Sequence, residues 1–241
     1  MLRHCNLPLN ILYILQSHNM TKYNKQQAIS IIIDCAAKYE ENLNGYQLLF
    51  ILKDKHKHIS SLEVSFYPYN FLHLTGIKLI DGTTATDFYK RCLNHKLSPE
   101  DFSFASDGTT QLKLEILPQL MLKNISAKMV GDFNGCNPKL YTEKLTGGVK
   151  ACLGFVKTHR AEYVPNTVLN TDIRTVTKIS QQVIATYRRK NSTSPYQELV
   201  YKPKKSTGIP LPFRKNMTIS PSQEKMAHNA IFSSNYPSSL F

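Results

Sequence analysis

The stretch AKMVGDFNGCNPKLYTEKLTGGVKACLGFVKTHRAEYVPNTVLN, residues 127–170, reads as a run of β-strands and short turns. Strands are expected at about Ala127–Phe133, Leu140–Thr146, Val149–Thr158 and Tyr163–Asn170, with turn signals at Asn134-Gly135, Gly147-Gly148 and Pro165-Asn166. Val183–Arg188 and Glu198–Tyr201 look like two further strands, joined by the polar loop Lys190 to Pro195. Upstream the period changes. Ile29, Ile32, Ile33, Ala36 and Tyr39 recur at three-and-four spacing, which predicts a helix over Asn24–Leu43 that stops before Gly45. Two strands follow, Tyr46–Leu52 and Ile59–Phe66, with the charged run Lys53 to His58 as a solvated hairpin turn. Helices are expected at Thr83–Asn94, from a start at Ser98-Pro99, and at Gln111–Lys123, where Pro118 kinks or divides the last. An early helix, a helical insert and then antiparallel strands make the fold class α+β.

Between the second strand and the insert lies Phe71-Leu72-His73-Leu74-Thr75-Gly76-Ile77. Read as extended chain after Tyr67-Pro68-Tyr69-Asn70, it places Phe71, His73 and Thr75 on one face. Histidine exchanges a proton near neutrality, and a hydroxyl beside it can orient the ring or donate to a substrate oxygen. A hydrogen-bonded histidine in a half-buried strand is the plainer alternative.

The string NFLHLTGIK resembles the hallmark of the phage-associated barnase–EndoU–colicin–RelE-like nuclease domains, specifically their fourth group. DFYKRCLNHKLSPEDF, MVGDFNG, KLTGGVKACLGF, YVPNTVLNTDIR and YQELVYKPKK continue the similarity in the same order, so it covers roughly residues 20–205. The resemblance implies a barnase/EndoU/colicin/RelE-like core, with an N-terminal helix and helical insert packed on an antiparallel sheet. It also implies a metal-independent RNase carried by a phage or other mobile element. His73 and Thr75 are the two residues that the motif itself carries.

Charge agrees with a polyanionic partner. Residues 150–241 hold 14 Lys and Arg against 4 Asp and Glu, whereas residues 1–149 hold 16 against 13. Most of the formal net charge of +13 therefore sits in the later half, which suits RNA, either tRNA or mRNA. No basic amphipathic helix supports a membrane partner, and no apolar run reaches the ~18 residues of a spanning helix. Five cysteines without a CxxC pair fit reduced thiols and a cytoplasmic location. His56 and His58 have too few ligand-type companions in the sequence nearby to make up a metal site, so neither a metal nor a cofactor is expected.

Metal-independent RNA cleavage needs a base for the 2′-hydroxyl, an acid for the departing 5′-oxygen, and cations or N–H donors at the phosphorane. His73 is the candidate base or acid, with His159 in reserve. Lys144 and Arg174 are candidates for phosphate stabilisation, and Thr75 for orienting His73. Thr167, like Thr75, could hydrogen-bond the phosphate or orient His73, Lys178 is a candidate substrate contact, and Tyr187 or Tyr201 a candidate base stack. Each has a bland rival: a strand-edge charge for Lys144, a pairing near Asp172 for Arg174, core packing for the tyrosines. The expected organisation is a docking segment at 1–20, the nuclease-like domain at 21–205, and a basic, Ser/Pro-rich extension at 206–241. An endoribonuclease acting as toxin or host-takeover effector, opposed by an immunity or antitoxin protein, is the leading expectation. A non-catalytic RNA-binding or inhibitory module that keeps the fold is the alternative.

Overall fold

A computed structural model describes residues 22–80, 82–135, 140–190, 192–196 and 198–204. The expected docking segment and C-terminal extension lie outside the described residues. The elements are α1 (Lys25–Asn42), β1 (Gln47–Lys53), β2 (Ile59–Ser65), α2 (Asn70–Thr75), β3 (Ile77–Leu79), α3 (Ala85–Leu93), β4 (Phe102–Phe104), α4 (Thr109–Leu120), β5 (Met129–Phe133), β6 (Lys144–Gly147), β7 (Cys152–Lys157), β8 (Tyr163–Leu169), α5 (Ile173–Val176), β9 (Thr177–Arg189) and β10 (Glu198–Tyr201). The α+β expectation holds.

The main sheet runs β1-β2-β8-β7-β6-β5-β9 and closes on itself because β9 also pairs with β1. Seven strands therefore form a barrel, and β10 extends the edge of β9 that β5 also uses. Every pairing is antiparallel except β2 with β8, which meet through the single parallel register pair Val64 and Tyr163. That thin seam is where the barrel is least closed by backbone hydrogen bonds.

Alternation along β1 shows how the core divides. Leu48, Phe50 and Leu52 join the main cluster with Ile32, Ala36 and Tyr39 of α1, Phe71 of α2 and Phe88 of α3. Leu49 and Ile51 face the other way, against Ile184, Ala185 and Tyr196. A strand buried on both faces explains why QLLFILK is a nearly continuous apolar run. A third cluster, Leu145, Cys152, Ile173 and Val176, packs α5 on the far end of the sheet.

Helix α1 begins with a reciprocal box: the Asn24 side chain accepts from the Gln27 amide, and the Gln27 side chain accepts from the Asn24 amide. Pro118 sits inside α4 near its end and does not divide it, the helix running on to Leu120. Three local readings are corrected. The Ser98-Pro99 segment makes a single turn, with Asp101 accepting from the Ser98 amide and donating its own amide to Ser98, and then enters β4. Pro165-Asn166 is no turn but an irregularity within β8, where the register with β7 shifts between Gly154 and Phe155. The segment 71–77 is not extended; it forms the short helix α2.

Candidate functional site

Helix α2 is built by the residues before it. Asn70 accepts from the Tyr67 amide through its side chain, the Phe71 amide bonds the Pro68 carbonyl, and Gly76 ends the helix at φ 72°. His73 and Thr75 consequently part company. Thr75 is fully buried, and its hydroxyl donates to the Leu72 carbonyl at 2.8 Å. His73 is exposed, and its backbone carbonyl accepts from Lys113 Nζ at 2.9 Å. Partial burial, then the Lys113 cation, hold the His73 imidazole below its ordinary range.

The other expected residues are spread over the barrel. Lys144 pairs with Asp132 across β6 and β5. Arg174 forks onto Asp172, its Nε donating at 3.0 and 3.1 Å, and this pairing holds the Asp172 carboxyl below the usual carboxylate range. Lys178 lines a shallow depression of about 550 Å³ with Phe133, Tyr141 and Thr142. Lys144, Arg174 and Lys178 thus fall on adjoining elements, β6, α5 and β9. Thr167 is buried beside Gly154. Tyr187 packs on the Leu49 cluster, and Tyr201 lies on the main core with Lys128 Nζ 4.1 Å from its ring centre. Among the described residues, no three His, Cys, Asp or Glu side chains converge as metal ligands. Cys35, Cys92 and Cys152 are free thiols, and burial pushes each up to about 12.

A second, deeper concavity lies elsewhere, at the β1–β2–β8 seam. It is a cleft of about 1350 Å³ on the face of β1 turned away from α1. Register places its floor. Gln47 of β1 stands between Ser65 of β2 and Arg189 of β9, and Leu49 stands between Glu63 and Tyr187. A continuous polar chain results. Arg189 Nε donates to Gln47 Oε1 at 2.8 Å, and Gln47 Nε2 donates to Ser65 Oγ at 2.9 Å and Glu162 Oε1 at 3.3 Å. The Tyr67 hydroxyl lies 3.0 Å from both Glu162 oxygens. Glu63 accepts from the Tyr196 hydroxyl at 2.6 Å and pairs with Arg189 at 3.3 Å. Lys157, Arg160 and Lys190, all exposed, complete the rim.

Neighbouring arginines divide by strand parity. Arg188 points inward, where its Nη1 donates to the Asn42 carbonyl at 2.8 Å and its guanidinium covers the Tyr46 ring at 4.0 Å. Arg189 points into the cleft. Sequence reasoning passed over Gln47, Glu63, Glu162 and Arg189. One signal was there: Ser61, Glu63 and Ser65 alternate with Leu62, Val64 and Phe66, so β2 carries a polar stripe on the face opposite its core stripe. Nothing local marks Glu162, which reaches the cleft through the parallel seam.

A closed α+β barrel with a carboxylate-and-arginine cleft defines a class of binding or catalytic domain. The family is shown by direct comparison: residues 31–205 match the model of the phage-Barnase-EndoU-ColicinE5/D-RelE like nuclease4 family, and the chain belongs to it. No curated protein and no solved structure matches the chain significantly. No helix among the described residues is long and apolar enough to cross a membrane.

Proposed function

We propose that this nuclease-family domain is a metal-independent endoribonuclease of a phage or other mobile element, acting as a toxin or host-takeover effector. It cuts RNA by attack of the 2′-hydroxyl on the adjacent phosphate, which leaves a 2′,3′-cyclic phosphate. One observation carries the reading: the cleft holds the Glu162 carboxylate and Arg189 joined through Gln47, with Lys157, Arg160 and Lys190 lining the same cleft. Glu162 takes the 2′-hydroxyl proton, and Tyr67 and Gln47 hold its oxygens in place. Arg189 and the rim cations stabilise charge on the phosphorane.

His73 supplies the proton to the leaving 5′-oxygen. It lies in α2 four residues beyond the N-cap Tyr69, the spacing of side-chain neighbours along a helix, and Tyr69 stacks on cleft-lining Tyr67. Thr75 supports it from within, fixing the last turn of α2 through its bond to Leu72. His159, next to cleft-lining Arg160, is the reserve donor. Lys144, Arg174 and Lys178 contribute to RNA binding through the field they add, and Thr167 packs β8 against Gly154 of β7; Tyr187 and Tyr201 support the sheet on which the cleft stands. The RNA is a tRNA or an mRNA. An immunity or antitoxin protein would act by covering the same cleft in the cytoplasm.

The test is cleavage of single-stranded RNA in excess chelator by the wild type and by Glu162→Gln. The substitution keeps size and hydrogen bonding but cannot take a proton. Loss of a positioned base lowers the rate by ~10²–10⁴. The second reading, a non-catalytic RNA-binding or inhibitory module, draws on one feature: Glu63 and Glu162 are both already held by protein donors. It predicts binding without cleavage in the wild type.

A further inference from the structure

Tyr67 and Tyr69 form a feature of the cleft mouth that cleavage chemistry alone does not explain. Their rings are nearly parallel, 9° apart, with centres at 5.4 Å, an offset stack. Tyr67 is fixed from three sides. Its hydroxyl is held at Glu162, its carbonyl accepts from the buried Tyr39 hydroxyl at 2.9 Å, and its amide donates to the Asn70 side chain. Tyr69, the outer ring, is 42% exposed. Burial and then the Glu162 carboxylate raise its phenol above the ordinary range while Arg160 acts against them, so a carboxylate and a guanidinium both lie close to this ring. An aromatic pair thus stands where the fixed Tyr67 lines the cleft with Arg160 and Lys157, and its outer ring, Tyr69, is partly open to solvent.

That combination suits a flexible polyanion whose flat groups are free to stack. Double-stranded RNA hides its base faces inside the helix, whereas a single strand offers them. Tyr69 stacks on a ring that is itself held, which lowers the ordering that binding requires. We propose that the open face of Tyr69 is a stacking subsite for an unpaired nucleobase, with Arg160 and Lys157 taking the flanking phosphates, so that the cleft selects single-stranded over duplex RNA. This rests on the nuclease reading only for the choice of polymer.

Binding can be measured apart from cleavage by fluorescence anisotropy in chelator, using a labelled 2′-O-methyl strand that cannot be cut. The probes are that strand, its duplex, and a strand of equal length that is abasic at successive positions. For the wild type, the single strand should bind more tightly than either of the others. Tyr69→Ala should weaken single-strand binding roughly 5- to 150-fold, the range for loss of one stacked base, and leave duplex binding unchanged. Tyr69→Phe should bind like the wild type. Equal wild-type affinity for the intact and abasic strands, or no effect of Tyr69→Ala, overturns the subsite. The abasic comparison involves no substitution and so does not depend on a variant folding. Cleavage of an unmodified strand, scored separately, shows whether the nuclease reading stands in either case.

Discussion

His73 illustrates how a side chain's environment sets its use. Burial and Lys113 lower its proton affinity, so the imidazolium is a stronger acid than an unperturbed histidine. If it must be protonated to serve the 5′-oxygen, activity is present at low pH and is lost as pH rises through a value below about 6.5. The descending limb of kcat/KM should therefore lie on the acid side of an ordinary histidine, and His73→Gln should remove that limb and slow cleavage by ~10²–10⁴. An unchanged profile in His73→Gln, with the limb lost in His159→Ala, would move the role to the reserve histidine. Gly76 makes a second test at this scale. Its φ of 72° disfavours any side chain, and an added Cβ would stand 2.7 Å from Lys113 Cδ. Gly76→Ala should lower stability by about 1–2 kcal/mol in chemical denaturation. His73 was visible in the sequence through its chemistry, but its geometry was not. A stretch as short as Phe71–Ile77 fits a short helix as well as a period-2 strand, and Asn70 settles the matter by accepting the Tyr67 amide.

Secondary structure divides by length. The long elements were legible because their periodicity repeats: α1 and the strands β1, β2 and β5 to β8 fall within a few residues of the bounds that alternation and turn residues predict. Short ones were not. β3 and β4 have three residues each and α5 four, too few to show any period, and tertiary pairing such as Ile77 with Phe104 fixes them. The cleft suffered the same way. Gln47 lies in a strand buried on both faces, and only its register against Ser65 and Arg189 makes it polar floor instead of core. Helix α1, by contrast, announces its own start. Asn24→Ala removes the cap side chain that accepts from Gln27, and thermal or denaturant unfolding should show a loss of about 1 kcal/mol. A loss within error would mean that packing of Ile32, Ala36 and Tyr39 fixes the helix start unaided.

Across the whole molecule, barrel closure and charge act together. Seven strands leave the β2–β8 seam nearly unpaired, and the cleft opens there, lined by cations from β7, the β7–β8 turn and the end of β9. The excess of Lys and Arg in residues 150–241 thereby acquires a location that composition alone could not give. RNA affinity should fall with salt, and each of Lys157→Ala, Arg160→Ala and Lys190→Ala should reduce the log–log slope by about 0.7 for a single strand. Slopes unchanged in all three would place the RNA on another face, and the Lys144, Lys178 and Arg174 region would be the next to substitute. The most direct test of the account is cleavage of a single-stranded RNA in excess EDTA, with the new ends analysed, by the wild type and Glu162→Gln side by side. The cleft mechanism predicts 2′,3′-cyclic phosphate ends from the wild type, and cleavage ~10²–10⁴ slower in the variant with RNA affinity preserved. Wild-type-like cleavage by Glu162→Gln, or cleavage that stops in EDTA and returns with a divalent ion, would contradict it.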